Sequence, residues 1–421
     1  MDVKSSVGLR LKGGRRLLFA FLCVWFPLIV FWVNTKLADL EGLSSAKLPF
    51  GVFVEPGGNV YLQDFSYNML YFKGIRERLV AHPYRLVDQE KLIRQMVPGI
   101  NAGMSHAYSP VAFVLALPLI NLSGARAYLI YTVLGAIATL LLFYFYLLPK
   151  IDHPLQLYVL SAGALGICLF VAFQLGQSAL ITTPILGMLW ALLQKRNSMA
   201  GLPADILLAI LFWALCLKPS VALIPFALLI GTGAWRILAI SVFLLLATWT
   251  FVSGYYGGWL VGLHDYIFLL NHYDNEEFTP FMQRGNDFPL AANLFNWDPH
   301  LSTDLFSFDR GLVLIINMAL LFLRWSSRIN AAEHFQAAIW TFLLFSPYLS
   351  GCENWVLCLL VTEGAFFKSS QPLQAIGKFA LIFGILVIGG IRWSADISIP
   401  CKWLLFLWTA VAIVSAKAKI V

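Results

Sequence analysis

Asp64 is the carboxylate best placed to act as a base, because it lies among Tyr61, Phe65, Tyr67 and Asn68. Aromatic neighbours desolvate a carboxyl group, raise its pKa and make it a better proton acceptor. Other polar punctuation in an apolar chain offers partners for it. At Tyr108, Ser109 and Pro110, next to His106, the proline holds Ser109 extended and the phenol can reach a polar cavity from an apolar boundary. Gly176 and Gln177 follow Leu175 between two apolar runs; the glycine lets the chain turn, and the amide supplies a donor and an acceptor to a cavity or to a neighbouring helix. Lys218, before Pro219 and Ser220, is a cation that either snorkels to headgroups or pairs with an anion such as a lipid phosphate. Arg284, beside Gly285, Asn286 and Asp287, is a second candidate for that role, and His272 is a further polar contact. Asp39 and Glu41 have the spacing to hold a divalent cation through carboxylate oxygens, or stand as an interfacial charged pair with no ligand.

The elements that position these groups must be membrane helices. Of 421 residues 59% are hydrophobic and 12% charged, with a mean hydropathy of +0.76, too few charges to cover a water-soluble surface. The apolar runs are continuous and lack the alternation of barrel strands, so backbone polar groups are satisfied within helices. The net charge of +7 is spread in short basic clusters and forms no nucleic-acid-binding stripe. The cysteines form no CxxC pair and fall mostly in apolar segments, with Cys352 and Cys401 able to meet near the outer surface.

An all-α polytopic bundle of about twelve spans is expected. The first run, 17–33, follows Arg15 and Arg16; without a small-residue cleavage site it reads as a retained anchor instead of a signal peptide. Further runs lie at 127–148, 157–174, 178–194, 202–217, 221–235, 237–255, 312–323, 337–349, 355–367, 376–391 and 403–415. With the N-terminus inside, Lys150, Lys195, Arg196, Arg236, Arg324, Arg328, Lys368, Lys417 and Lys419 share the cytoplasmic side, and Arg126, Arg310, Arg392 and Lys402 are exceptions. The run 111–122 contains Pro118 and is too short to span, so it is expected to be re-entrant or interfacial.

The whole chain, 1–421, reads as one integral membrane domain with two long outer segments, 34–110 and 257–309. Loops of that length carry function or helices of their own. Mixed charged and apolar positions between Phe65 and Val97 fit amphipathic helices along the membrane surface, or else a cap over the bundle. Five of the seven histidines, His82, His106, His264, His272 and His300, fall in or beside these segments, which places the chemistry on the outer face.

No Walker loop, GxGxxG after a strand, HExxH or GxSxG is present, so soluble-type nucleotide and hydride enzymes are disfavoured. Nor is there an Asp-x-Asp of the kind that holds a nucleotide sugar through a metal. Asp64 with Phe65, Tyr108-Ser109-Pro110, Gly176 with Gln177, and Leu217-Lys218-Pro219, in that order, resemble the landmarks of glycosyltransferase family 87, multi-pass enzymes that use polyprenyl-phosphate sugars. Ser109 stands where that family usually has proline, and the second outer loop matches it only loosely.

The resemblance implies a GT-C type bundle in a bacterial inner membrane, with its site facing the periplasm or exterior. It further implies transfer of a mannose- or arabinose-like sugar from a polyprenyl monophosphate to a hydroxyl of a lipid or polysaccharide acceptor, needing no cofactor beyond an optional divalent cation. In an inverting displacement Asp64 would take the acceptor proton. Because phosphate leaves readily, one carboxylate suffices, with Lys218 and Arg284 on the phosphate and Tyr108, Gln177 and His272 orienting oxygens. The alternative from another class is a multi-pass transporter or lipid flippase, which would show broken helices and charges near the midplane.

Overall fold

A computed structural model describes residues 3–43, 52–54, 60–62, 64–96, 108–196, 201–272, 302–345, 351–362, 372–388, 401–402 and 404–407. Helices are α1 (Val3–Leu43), α2 (Asp64–Arg76), α3 (Leu86–Met96), α4 (Pro110–Ala116), α5 (Gly124–Leu142), α6 (Pro154–Leu165), α7 (Ile167–Leu175) and α8 (Ala179–Gln194). They continue with α9 (Leu202–Leu215), α10 (Pro219–Gly231), α11 (Trp235–Val252), α12 (Trp259–His272), α13 (Ser302–Trp325), α14 (Ala331–Phe345), α15 (Leu357–Val361) and α16 (Pro372–Ile388). The expectation of an all-α chain is modified by one short antiparallel hairpin, β1 (Val52–Val54) with β2 (Val60–Leu62), in the register Phe53 to Tyr61.

Among the described residues four helical stretches are long and apolar enough to cross a bilayer, Lys12–Thr35, Gly124–Lys150, Pro154–Gln174 and Trp235–Tyr255. Six shorter apolar helices accompany them: Ala179–Gln194, Leu202–Leu215, Pro219–Gly231, Trp259–Leu270, Val313–Trp325 and Ile376–Leu386. Their outward faces are apolar, with Leu17 73%, Phe31 70%, Phe243 68% and Phe322 69% exposed. A surface of that kind suits lipid and not water. The chain is therefore a multi-pass helical membrane protein.

Close packing and side-chain hydrogen bonds join the helices, as they must where lipid supplies no hydrophobic drive. Gly187 of α8 lets Leu142 of α5 and Leu359 of α15 approach its backbone. Trp190 stacks on Phe335 at 4.4 Å, tying α8 to α14. Asn34 donates to Thr132 across α1 and α5 (3.1 Å), and Trp213 donates to Thr248 across α9 and α11 (2.8 Å).

One end of the bundle gathers basic groups. Lys150 binds Gln194 at 2.9 Å, and the nearly buried Asp205 lies 3.5 Å from Arg196 and 3.7 Å from Arg236, clasping the adjoining ends of α8, α9 and α11. Gly231 at the end of α10 meets Arg324 and His334 there. The Gly176, Ser109 and Lys218 turns lie at the opposite ends of α7, α8, α9 and α10.

Several expectations change. The apolar run 157–174 is interrupted at Gly166, where the backbones of Ala162 and Leu386 leave no room for a side chain. Helix α1 runs on to Leu43, past the end of its apolar stretch at Thr35. The second, expected from Gly257, loses its beginning to α12 and its end to α13. His264, Asp265 and Asn271 gave α12 the look of a loop, although the rest of it is apolar enough to pack. Of the expected span 355–367, the described residues form the end of a 3-10 turn, Gly351–Val356, and the five residues of α15; 363–367 lie outside the described residues. At the start of the run 111–122, α4 has seven residues, about 10 Å of rise against a hydrocarbon core of about 30 Å.

Of the two surface helices anticipated, α3 keeps the pattern, with Leu92 and Ile93 buried and Val87, Lys91 and Arg94 exposed. By contrast α2 is sunk into the protein, with Phe65, Tyr67, Leu70, Tyr71 and Ile75 all buried, and so forms part of a cap. Cys401 is a free thiol, which removes the pairing with Cys352.

Candidate functional site

The site is built from turns at the end of the bundle away from the basic clasp. Helix α7 ends at Gly176, whose φ of +64° and ψ of 39° are left-handed values that a glycine adopts without strain. A side chain there would also strike Phe65 and Tyr128. Phe65 packs its ring on Tyr128 (5.2 Å) and Tyr131 (4.9 Å) of α5, so the first turn of α2 is pinned over the α7–α8 turn. Tyr131 donates to the Gln177 carbonyl (2.8 Å) and Tyr128 to that of Gln174 (2.9 Å), fixing the turn from the other side.

The corner predicted at Tyr108-Ser109-Pro110 meets this turn. The Tyr108 hydroxyl donates to Ser178 Oγ at 3.2 Å, at the start of α8. Ser109 caps α4 by accepting from the Val111 amide at 3.3 Å, while Pro110 takes the first helical position, where no amide donor is needed. The Ser109 backbone N–H donates to the Leu217 carbonyl (3.1 Å) and the Ser109 hydroxyl to the Cys216 carbonyl (2.6 Å). These two bonds lay the corner beside Lys218, the residue that caps α10.

Four segments separated in sequence, at 65, 108–109, 176–178 and 216–218, thus form one contiguous contact network. Asp64 opens α2 beside Phe65, but its carboxyl group lies outside the described residues. The same holds for the side chains of His272, which closes α12, and of Asp39 and Glu41 in the last turns of α1, and for Arg284 altogether. Among the described residues no group of three His, Cys, Asp or Glu is placed to hold a metal.

The electrostatics of this end favour an anion. Helices prefer cations at their C-termini, yet Lys218 sits at the N-terminus of α10, where its charge adds to the positive end of the helix dipole. The N-terminus of α8 opens close by at Ser178. Ser220, in the first turn of α10, is buried with no hydrogen-bond partner for its Oγ among the described residues. A buried hydroxyl in that state calls for a ligand or water.

Sequence reasoning missed the next layer. Tyr84 donates to the Tyr108 carbonyl (3.2 Å) and stacks against Tyr256 and Tyr266, both at 4.7 Å. Burial, and then the nearby Tyr256, push the Tyr84 phenol well above its ordinary pKa, so it remains a neutral donor. Asp265 of α12, almost fully buried, accepts from Arg85 Nε at 3.0 Å and has His82 Nδ1 3.2 Å from the same oxygen, without hydrogen-bond geometry. The one available signal was an acid in an otherwise apolar helix; its partner lies 180 residues away.

Comparison with known protein families, with curated proteins and with solved structures finds no match to this chain.

Proposed function

We propose that the chain is a GT-C type membrane glycosyltransferase of about twelve spans, moving a mannose- or arabinose-like sugar from a polyprenyl monophosphate to an acceptor hydroxyl. The observation that carries this reading is the meeting of the 65, 108–109, 176–178 and 216–218 segments at one end of the bundle, beside a helix N-terminus capped by a lysine. A lipid-linked phosphate requires an anion site at a lipid boundary, and two helix N-termini with an ammonium group answer that requirement.

In this mechanism the acceptor oxygen attacks the anomeric carbon as the sugar–phosphate bond breaks, and Asp64 takes the acceptor proton. The leaving phosphate is held by Lys218, helped by Arg284 and by the Ser220 hydroxyl. Tyr108 and Gln177 orient sugar or phosphate oxygens, and His272 adds a polar contact. The site would face the periplasm or exterior of a bacterial inner membrane, with Lys150, Arg196 and Arg236 at the cytoplasmic end in keeping with the inside bias of basic residues.

The test incubates purified protein with radiolabelled polyprenyl-phosphate mannose or arabinose and a membrane extract. Label should move to an acceptor with the wild type and stay on the donor with a folded Asp64→Asn variant. A second reading, a transporter or flippase, is favoured by the break at Gly166 inside a 21-residue apolar stretch. In that case no label is transferred from any lipid-linked donor, and labelled lipid crosses the bilayer of proteoliposomes.

A further inference from the structure

We infer that Arg85, anchored on the buried carboxylate of Asp265, and the exposed His264 beside that carboxylate form a second phosphoryl-anion subsite separate from Lys218. Asp265 is 6% exposed, while Arg85 is 53% and His264 78% exposed, so one buried acid holds Arg85 and adjoins an imidazole, and both groups open to the surface. Arg85 uses Nε on Asp265 Oδ2 at 3.0 Å, which leaves N–H donors on the Nη groups of its planar guanidinium for a ligand. His264 Nδ1 lies 3.6 Å from Oδ1, beyond hydrogen-bond distance, and its ring is open to the surface.

A fork of N–H donors beside an imidazole matches a tetrahedral phosphoryl group, which presents several oxygens at once. Arg78, placed over the Tyr255 ring at 5.4 Å, and the exposed Arg76 keep the neighbouring surface positive. Exposed Leu79, Val87 and Leu260 flank it, as beside a headgroup layer. The subsite adjoins the candidate site through Tyr84, which lies between His82 and Arg85 in sequence and bonds Tyr108.

The shared chemistry is a phosphate ester or free phosphate, and the two sources separate by experiment. Binding of short-chain phosphatidylglycerol, of the matching diacylglycerol and of inorganic phosphate is measured by calorimetry on the full-length protein in detergent. Removing Arg85 alone would strand a buried carboxylate, so the double variant Arg85→Gln, Asp265→Asn is used, together with His264→Gln at an exposed position. Phosphatidylglycerol should bind at least about tenfold more weakly to the double variant and about threefold more weakly to His264→Gln, with diacylglycerol unaffected. If inorganic phosphate shows the same dependence and the lipid none, the subsite takes free phosphate. Unchanged binding of both phosphate probes in either variant overturns the proposal. Because no sugar transfer is measured, this outcome is independent of the glycosyltransferase reading.

Discussion

At the scale of the residue, the site depends on a few side chains that fix turns. Gly176 combines a left-handed backbone with contact against Phe65, so Gly176→Ala must both strain φ and displace the first turn of α2. A loss of about 1–3 kcal/mol in stability is expected, read as a lower unfolding temperature in detergent, with transfer falling further than stability because Asp64 follows Phe65. Tyr108→Phe removes the hydroxyl bond to Ser178 and should cost about 0.5–1.5 kcal/mol; a larger drop in transfer rate would mark the phenol as a substrate contact. Tyr108, Gln177 and Lys218 stood out in the sequence because each is polar punctuation between apolar runs. Tyr84, Ser178 and Asp265 did not, since their significance lies in partners far along the chain, as with Arg85 and Asp265.

At the scale of the element, periodicity and hydropathy located nearly all the helices but not their interruptions. The run 157–174 is uniformly apolar, and its break at Gly166 comes from the approach of Leu386, a tertiary contact with no local signature. Helix α12 was hidden for the opposite reason: Asp265 reads as a loop residue until Arg85 neutralises it. Local chemistry was more legible at α4, where Ser109 and Pro110 announce a helix start. The clasp of Asp205 with Arg196 and Arg236 joins three helix ends, so Asp205→Ala should lower stability by about 1–3 kcal/mol, partly screened because Arg236 is largely exposed. Thermal unfolding in detergent checks it, and because Asp205 lies at the end of α9 away from the candidate site, sugar transfer at low temperature should be little changed.

At the scale of the whole molecule, composition was enough to establish a helical membrane protein, since an exterior carrying Leu17, Phe31, Phe243 and Phe322 has no place in water. Span number and orientation rest on the inside bias of basic residues, and the bundle does gather Lys150, Arg196 and Arg236 at one end and the candidate site at the other. Single cysteines at Gln194 and the exposed Val87, probed with an impermeant thiol reagent on a background without native cysteines, should label from the cytoplasmic and the outer side respectively. Labelling of both from one side would reverse the placement of the site.

The central claim, that an acid at the start of α2 and a cation capping α10 act on opposite ends of one sugar–phosphate bond, is tested most directly by initial rates of sugar transfer over a range of donor concentrations. Asp64→Asn should lower kcat by at least about a hundredfold with little change in KM, as loss of a general base does, whereas Lys218→Ala should raise KM for the polyprenyl-phosphate donor as well as slow the reaction. Wild-type rates in both variants, with the protein folded, would contradict it.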